Sequence, residues 1–210
     1  MEIVNRAFAA SYETREDDKT GIVTGRPIVL NAKTDLGLFD EVIDSGALLK
    51  TDMRDVRLCL NHDTSYVYAR SRQNNGNSTM QIMTDAMGLT FTAGLDITGS
   101  PKAQDFYSAI KRGDIDKMSF MFTIDGYEWE NLESDHPTRH ITSIGTIYEI
   151  SAVTFPAYDA TAIEARSSEM LESIRKELEN ARALRLKGSP DGEDIELAKA
   201  KYFFMRRKNT

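Results

Sequence analysis

The sequence holds one cysteine, Cys59, and one tryptophan, Trp129. A single thiol can neither close an intramolecular disulfide nor build a cysteine-rich zinc site, and it fits a reducing compartment. Histidines are also scarce. Of His62, His136 and His140, only the last two stand four apart, with Pro137 between them in a polar loop, and no His-x-His occurs, so the sequence gives no strong histidine metal set. No apolar run approaches the ~18 residues of a membrane span. The opening residues, Met1 to Asp17, lack the basic-then-apolar layout of a secretion signal. An excess of basic charge is missing too. Asp and Glu number 33 against 26 Lys and Arg, a formal charge of -7, which argues against a general nucleic-acid surface. Phosphate-cradling loops of the GxxxxGK or GxGxxG kind do not occur. Nor does GxSxG, which disfavours an α/β-hydrolase.

What is present describes a globular protein. The 210 residues are 40% hydrophobic and 28% charged, well outside the composition of a disordered chain. Charge and residue type both change near residue 160. Residues 159–210 carry 10 acids and 11 bases, whereas 1–158 carry 23 acids and 15 bases. The first part is rich in β-branched and aromatic residues. The second is rich in Glu, Lys, Arg, Leu and Ala, which favour helix. The expectation is a β-rich domain over 1–160 and a helical tail over 161–210.

Alternation predicts strands over 3–12, 21–30, 56–61, 78–84, 89–95, 116–129 and 140–155. A short helix is expected at Phe39–Ile43. A clearer one runs over Pro101–Lys111, with Ser100 as N-cap, Pro101 in the first turn and Gly113 at the exit. In the tail, Ile163, Ser167, Met170, Ile174, Leu178, Ala181 and Leu184 fall three or four apart and make one stripe over 160–187. Its face packs either on its own domain or on a partner. Gly188–Gly192 should break this helix, and a last short one should follow over 194–205.

Few residues are equipped for chemistry. His62 ends an apolar run between Asn61 and Asp63, where a strand can present an imidazole to a cleft or simply leave it in a turn. Ser119 lies in the apolar run Lys117-Met118-Ser119-Phe120-Met121-Phe122. It is either a strand serine bonded to backbone or a nucleophile served by a nearby base. Glu149 is flanked by Tyr148 and Ile150, and by alternation it shares a strand face with Ile147 and Ser151. It is either an edge residue facing water or an acid that orients an imidazole.

Five segments in order resemble the prohead proteases of tailed phages, serine proteases of capsid maturation with a herpesvirus-assemblin-like fold. They are Leu36 to Ala47, Asp55 to Asp63, Asp85 to Phe91, Ile110 to Phe120, and Ile147 to Tyr158. Met121 stands where the family commonly has glycine. The resemblance implies an α+β, mainly β fold: an assemblin-like closed or partly open β-barrel flanked by helices. It implies a serine endopeptidase with His62 as general base, Ser119 as nucleophile and Glu149 as orienting acid, His140 being the other candidate for the third place. The implied substrate is the major capsid protein precursor or scaffold, followed by self-cleavage inside the assembling prohead in the host cytoplasm. A homodimer or higher oligomer is expected. No cofactor, no metal, no direct nucleic-acid contact and no membrane contact are expected. The competing reading is a scaffold or assembly protein that keeps the fold with little activity. The presence of both His62 and Ser119 favours the enzyme.

Overall fold

A computed structural model describes residues 3–9, 12–17, 19–154 and 168–187. In chain order its strands are β1 (Ile3–Ala9), β2 (Tyr12–Asp17), β3 (Thr20–Val29), β4 (Lys33–Asp35), β5 (Asp40–Ile43) and β6 (Arg57–Leu60), then β7 (Ala69–Arg70), β8 (Met80–Asp85), β9 (Gly88–Asp96), β10 (Lys117–Glu130) and β11 (Thr138–Val153). The helices are α1 (Pro101–Arg112) and α2 (Ser168–Lys187).

The strands form two sheets. One runs β1-β10-β11-β5-β4, with β6 and β7 joined further along β11; the other runs β2-β3-β9-β8. The long hairpin β10–β11 is the axis of the first sheet. One edge of β11 pairs with β10, and the other carries β5 near its start and β6 near its end, both parallel to it. The expected mainly-β, α+β character holds, but among the described residues no barrel closes. β1 pairs with β10 alone and β2 with β3 alone, so the chain changes sheets between β1 and β2 instead of continuing one ladder. The sheets meet through side chains. Val4, Phe120 and Phe122 of the first join Val23, Leu89 and Phe91 of the second in one core.

Helix α1 follows its sequence signals. Ser100 accepts from the Ala103 N–H at 3.2 Å, and Gly113 exits with φ 79°, a left-handed conformation that glycine adopts without strain. Its buried face is Ala103, Phe106, Tyr107 and Ile110. Burying a side chain such as Phe106 stabilises by about 1.5–3 kcal/mol. The β8–β9 hairpin turns at Gly88, where φ is 138° and a Cβ would stand 2.0 Å from the Ile28 carbonyl oxygen.

Phe39–Ile43 is not helical. Residues 40–43 form β5, because Val42 and Ile43 are β-branched and the segment finds strand partners on both sides, β4 and β11. Helix α2 lays Leu178 and Ala181 on Leu36, Phe39 and Leu132, with Leu38 and Trp129 at the rim. That part of its stripe is thus covered by its own chain, while Leu184 stays exposed. The helix expected over 160–167 and 194–205, the break at 188–192, and Phe155 to Tyr158 of the last resembling segment lie outside the described residues.

Candidate active site

Strand β6 ends in a tight turn. The Asp63 N–H donates to the Leu60 carbonyl at 3.0 Å, and the two residues between, Asn61 and His62, have φ of 52° and 61°. Asn and His tolerate this left-handed region better than most side chains. The turn is fastened to the end of β11. Asn61 donates its N–H to Ala152 O at 2.9 Å, and its side-chain oxygen accepts from the Thr154 N–H at 2.9 Å. The His62 N–H donates to Ser151 Oγ at 3.1 Å. A strained turn held at three points sets the imidazole in one place.

From there the ring reaches Glu149, with Nδ1 2.5 Å from Oε1. Glu149 is 1% exposed, so it is no water-facing edge residue. Its other oxygen, Oε2, accepts from Ser151 Oγ at 2.5 Å. The carboxylate thus has a separate partner for each oxygen, as a buried charge requires.

The β10–β11 register brings Ser119 to this face. Ser119 lies opposite Ser151, and Met121 opposite Glu149. Directly opposed residues point to the same side of a sheet, with β-carbons about 5 Å apart. Ser119, Met121, Glu149 and Ser151 therefore share one face. The other face, with Met118, Phe120, Ile150 and Ala152, enters the core. Ile147 does not join Glu149 as simple alternation predicts. A register shift between Met121 and Phe122 sets Ile147 opposite Phe122, on the core side. Ser119 is buried and donates its hydroxyl to Arg6 O of β1 at 2.9 Å. This is the backbone-bonded strand serine that the sequence allows, placed one strand from the His62–Glu149 pair.

His140 stands apart. It lies nine positions before Glu149 on β11, about 30 Å at the usual rise per residue. It contacts Asp44 at 2.9 Å and Glu130 at 3.4 Å. The bond to Asp44 raises its pKa above the ordinary imidazole value. His136 lies 3.0 Å from Asp40 and 3.6 Å from Asp35. These three make the one group of potential metal ligands found among the described residues. Lys33 Nζ, 3.0 Å from Asp40, already shares its charge.

Cys59 is the register partner of Ser151 on β6. Burial, then the nearby Glu149 charge, pushes its thiol up to about 12, so it remains neutral and is a poor nucleophile. An open groove lined by Asp52, Arg54, Asp55, Arg57, Thr146 and Tyr148, among others, reaches the neighbours of Glu149. Arg57 is its register partner and Tyr148 precedes it.

A second buried polar cluster joins Glu41 of β5 and Arg139 at the start of β11 to Arg6, whose carbonyl Ser119 binds. Glu41 receives Arg6 Nε at 2.5 Å on Oε1 and Arg139 Nε at 2.9 Å on Oε2. Arg139 Nη1 continues to Glu177 of α2 at 2.6 Å. Burial pushes the Glu41 carboxyl up, but the two guanidiniums outweigh it and hold it below its ordinary value. Sequence inspection missed this cluster and gave Ser151 no role. The spacing Glu149-x-Ser151 on one strand was the available signal.

A serine, an imidazole and a buried carboxylate brought to one sheet from three segments are the groups that a serine peptidase uses. The family model for the caudovirus prohead serine protease matches residues 10–176, and the chain belongs to that family of serine peptidases. No curated protein and no solved structure matches it. Among the described residues no helix is long and apolar enough to cross a membrane.

Proposed function

We propose that the protein is the serine endopeptidase of capsid maturation, acting on the capsid precursor or scaffold and then on itself. Ser119 is the nucleophile, His62 the general base and Glu149 the orienting acid. The observation that carries this reading is the His62–Glu149 contact of 2.5 Å with Ser119 on the adjoining strand of the same face.

With Nδ1 donating to Glu149, the imidazole keeps a lone pair on Nε2. That is the tautomer a general base needs. Ser119 must exchange the Arg6 carbonyl for Nε2, a step between staggered χ1 rotamers. Its oxygen then attacks the scissile carbonyl as His62 takes the proton. Glu149 stabilises the imidazolium, and His62 returns the proton to the leaving amine. Water repeats the sequence on the acyl-enzyme. Action inside the assembling prohead fits the family, and a dimeric or higher assembly there is part of the same proposal. Residues 161–210 are the segment we assign to dimerisation, scaffold docking or self-cleavage.

The test is intact-mass spectrometry of purified wild type beside Ser119→Ala, alone and co-expressed with the capsid precursor. Fragments confined to wild type are expected. Equal fragments from a folded Ser119→Ala protein would sink the nucleophile assignment. No cleavage in either setting would favour the scaffold reading.

A further inference from the structure

The geometry points to Ser151 as a positioning residue of this site, whose single hydroxyl fixes both the backbone of His62 and the carboxylate of Glu149. The inference rests on the reading of His62 and Glu149 as base and orienting acid, and it assigns a residue which that reading leaves unused.

A serine hydroxyl has one proton and accepting lone pairs. Ser151 commits the proton to Glu149 Oε2 at 2.5 Å and accepts the His62 N–H at 3.1 Å. Both bonds are shielded, since Ser151 is 0% exposed. The consequences differ for the two partners. Glu149 is left with one free direction, Oε1, and His62 Nδ1 occupies it. A partial turn of the carboxylate would weaken both bonds at once. The His62 backbone is held in a left-handed conformation that few side chains accept unaided. The hydroxyl therefore closes a ring of three contacts, Ser151 to Glu149, Glu149 to the imidazole, and His62 N–H back to Ser151. Imidazole position and tautomer both depend on it.

Ser151 is not a second nucleophile. Its proton is already given to a carboxylate, whereas Ser119 gives its own to a backbone carbonyl. It acts through Glu149 and His62, so its removal should show in their properties and not only in the rate.

The experiment compares the full-length chain with Ser151→Ala by proton–nitrogen NMR of the His62 ring across pH. The rate of self-cleavage, read by intact mass, is followed alongside. Without the Ser151 donor, the Glu149 carboxylate is less well stabilised and holds the imidazolium more tightly. The His62 midpoint should rise, and cleavage should slow about 10- to 100-fold, as expected for loss of a charge-assisted bond. The cleavage pH profile should move with the midpoint. A structural serine would change melting temperature without moving the His62 titration. Should Ser151→Ala fail to fold, Ser151→Cys serves in its place, since it keeps the size and offers only a weak donor. An unchanged His62 titration in a folded variant overturns the assignment. A shifted titration in a protein whose Ser119→Ala form still cleaves overturns the assignment of Ser119 as nucleophile instead and leaves Ser151 as the anchor of the pair.

Discussion

Glu149 and Glu41 are buried carboxylates on strands of one sheet, 1% and 2% exposed, and they differ in the company they keep. Glu41 is bound by Arg6 and Arg139, whose guanidiniums stay charged at any pH a protein survives. Its charge is permanently matched, and no proton can pass through the cluster. Glu149 is bound by an imidazole and a hydroxyl. An imidazole, unlike a guanidinium, can take up and release a proton, so this carboxylate faces a partner that can exchange one. Burial alone therefore does not mark a site for chemistry. The titratability of the partner does, and exposure follows it: the His62 side chain is 25% exposed whereas Arg6 and Arg139 are each 4% exposed.

Two substitutions of the same kind should separate the two carboxylates. Glu149→Gln keeps the shape and, on the proposed roles, removes the charge that orients and stabilises the imidazolium. Cleavage should fall about 10⁴-fold, the scale seen when a triad acid becomes its amide, while stability changes by about 1 kcal/mol or less. Glu41→Gln removes the buried charge that both guanidiniums bind and should cost about 3–5 kcal/mol of stability. Denaturant unfolding of both variants beside wild type reads the contrast. Equal stability losses would erase it. The pH dependence sharpens it further. Glu41 titrates below its unfolded value, so its contribution is present above about pH 4.3 and is lost as pH falls through the folded value. Wild type should lose stability over that acid range, and Glu41→Gln should lose less of it.

Much of the site was legible in the sequence because its signals are local. Ser100, Pro101 and Gly113 announce α1, and the apolar runs on either side of the polar 131–137 loop announce β10 and β11. His62, Ser119 and Glu149 each stood out as a polar residue in an apolar strand context. What was not legible depends on pairing. Residues 39–43 are too few for period to separate helix from strand, and their fate is decided by β4 and β11. Ile147 changes face because of one register shift. Arg6, Glu41 and Arg139 are 35 and 98 residues apart, a distance over which no spacing rule works. Ser151 takes its role from the turn after β6, 89 residues away in sequence.

The smallest expected effect lies where the second cluster meets α2. Glu177 is 17% exposed and binds Arg139 Nη1 at 2.6 Å. Arg139 still has Glu41 on its other nitrogens and stacks over Phe39 at 4.9 Å, so losing Glu177 leaves no bare buried charge. Glu177→Gln keeps a hydrogen-bond acceptor and should cost only about 1 kcal/mol. The loss should be local. Hydrogen exchange should quicken in α2, which is otherwise held through Leu178, Ala181 and the bonds of Arg182 to Leu132 O and Ser134 O. Amides of β10 and β11 should stay as protected as in wild type, and cleavage should be unchanged. A global loss as large as that of Glu41→Gln would mean that the arginine cluster needs α2 for its balance, and the tail would then be part of the core instead of an attachment to it.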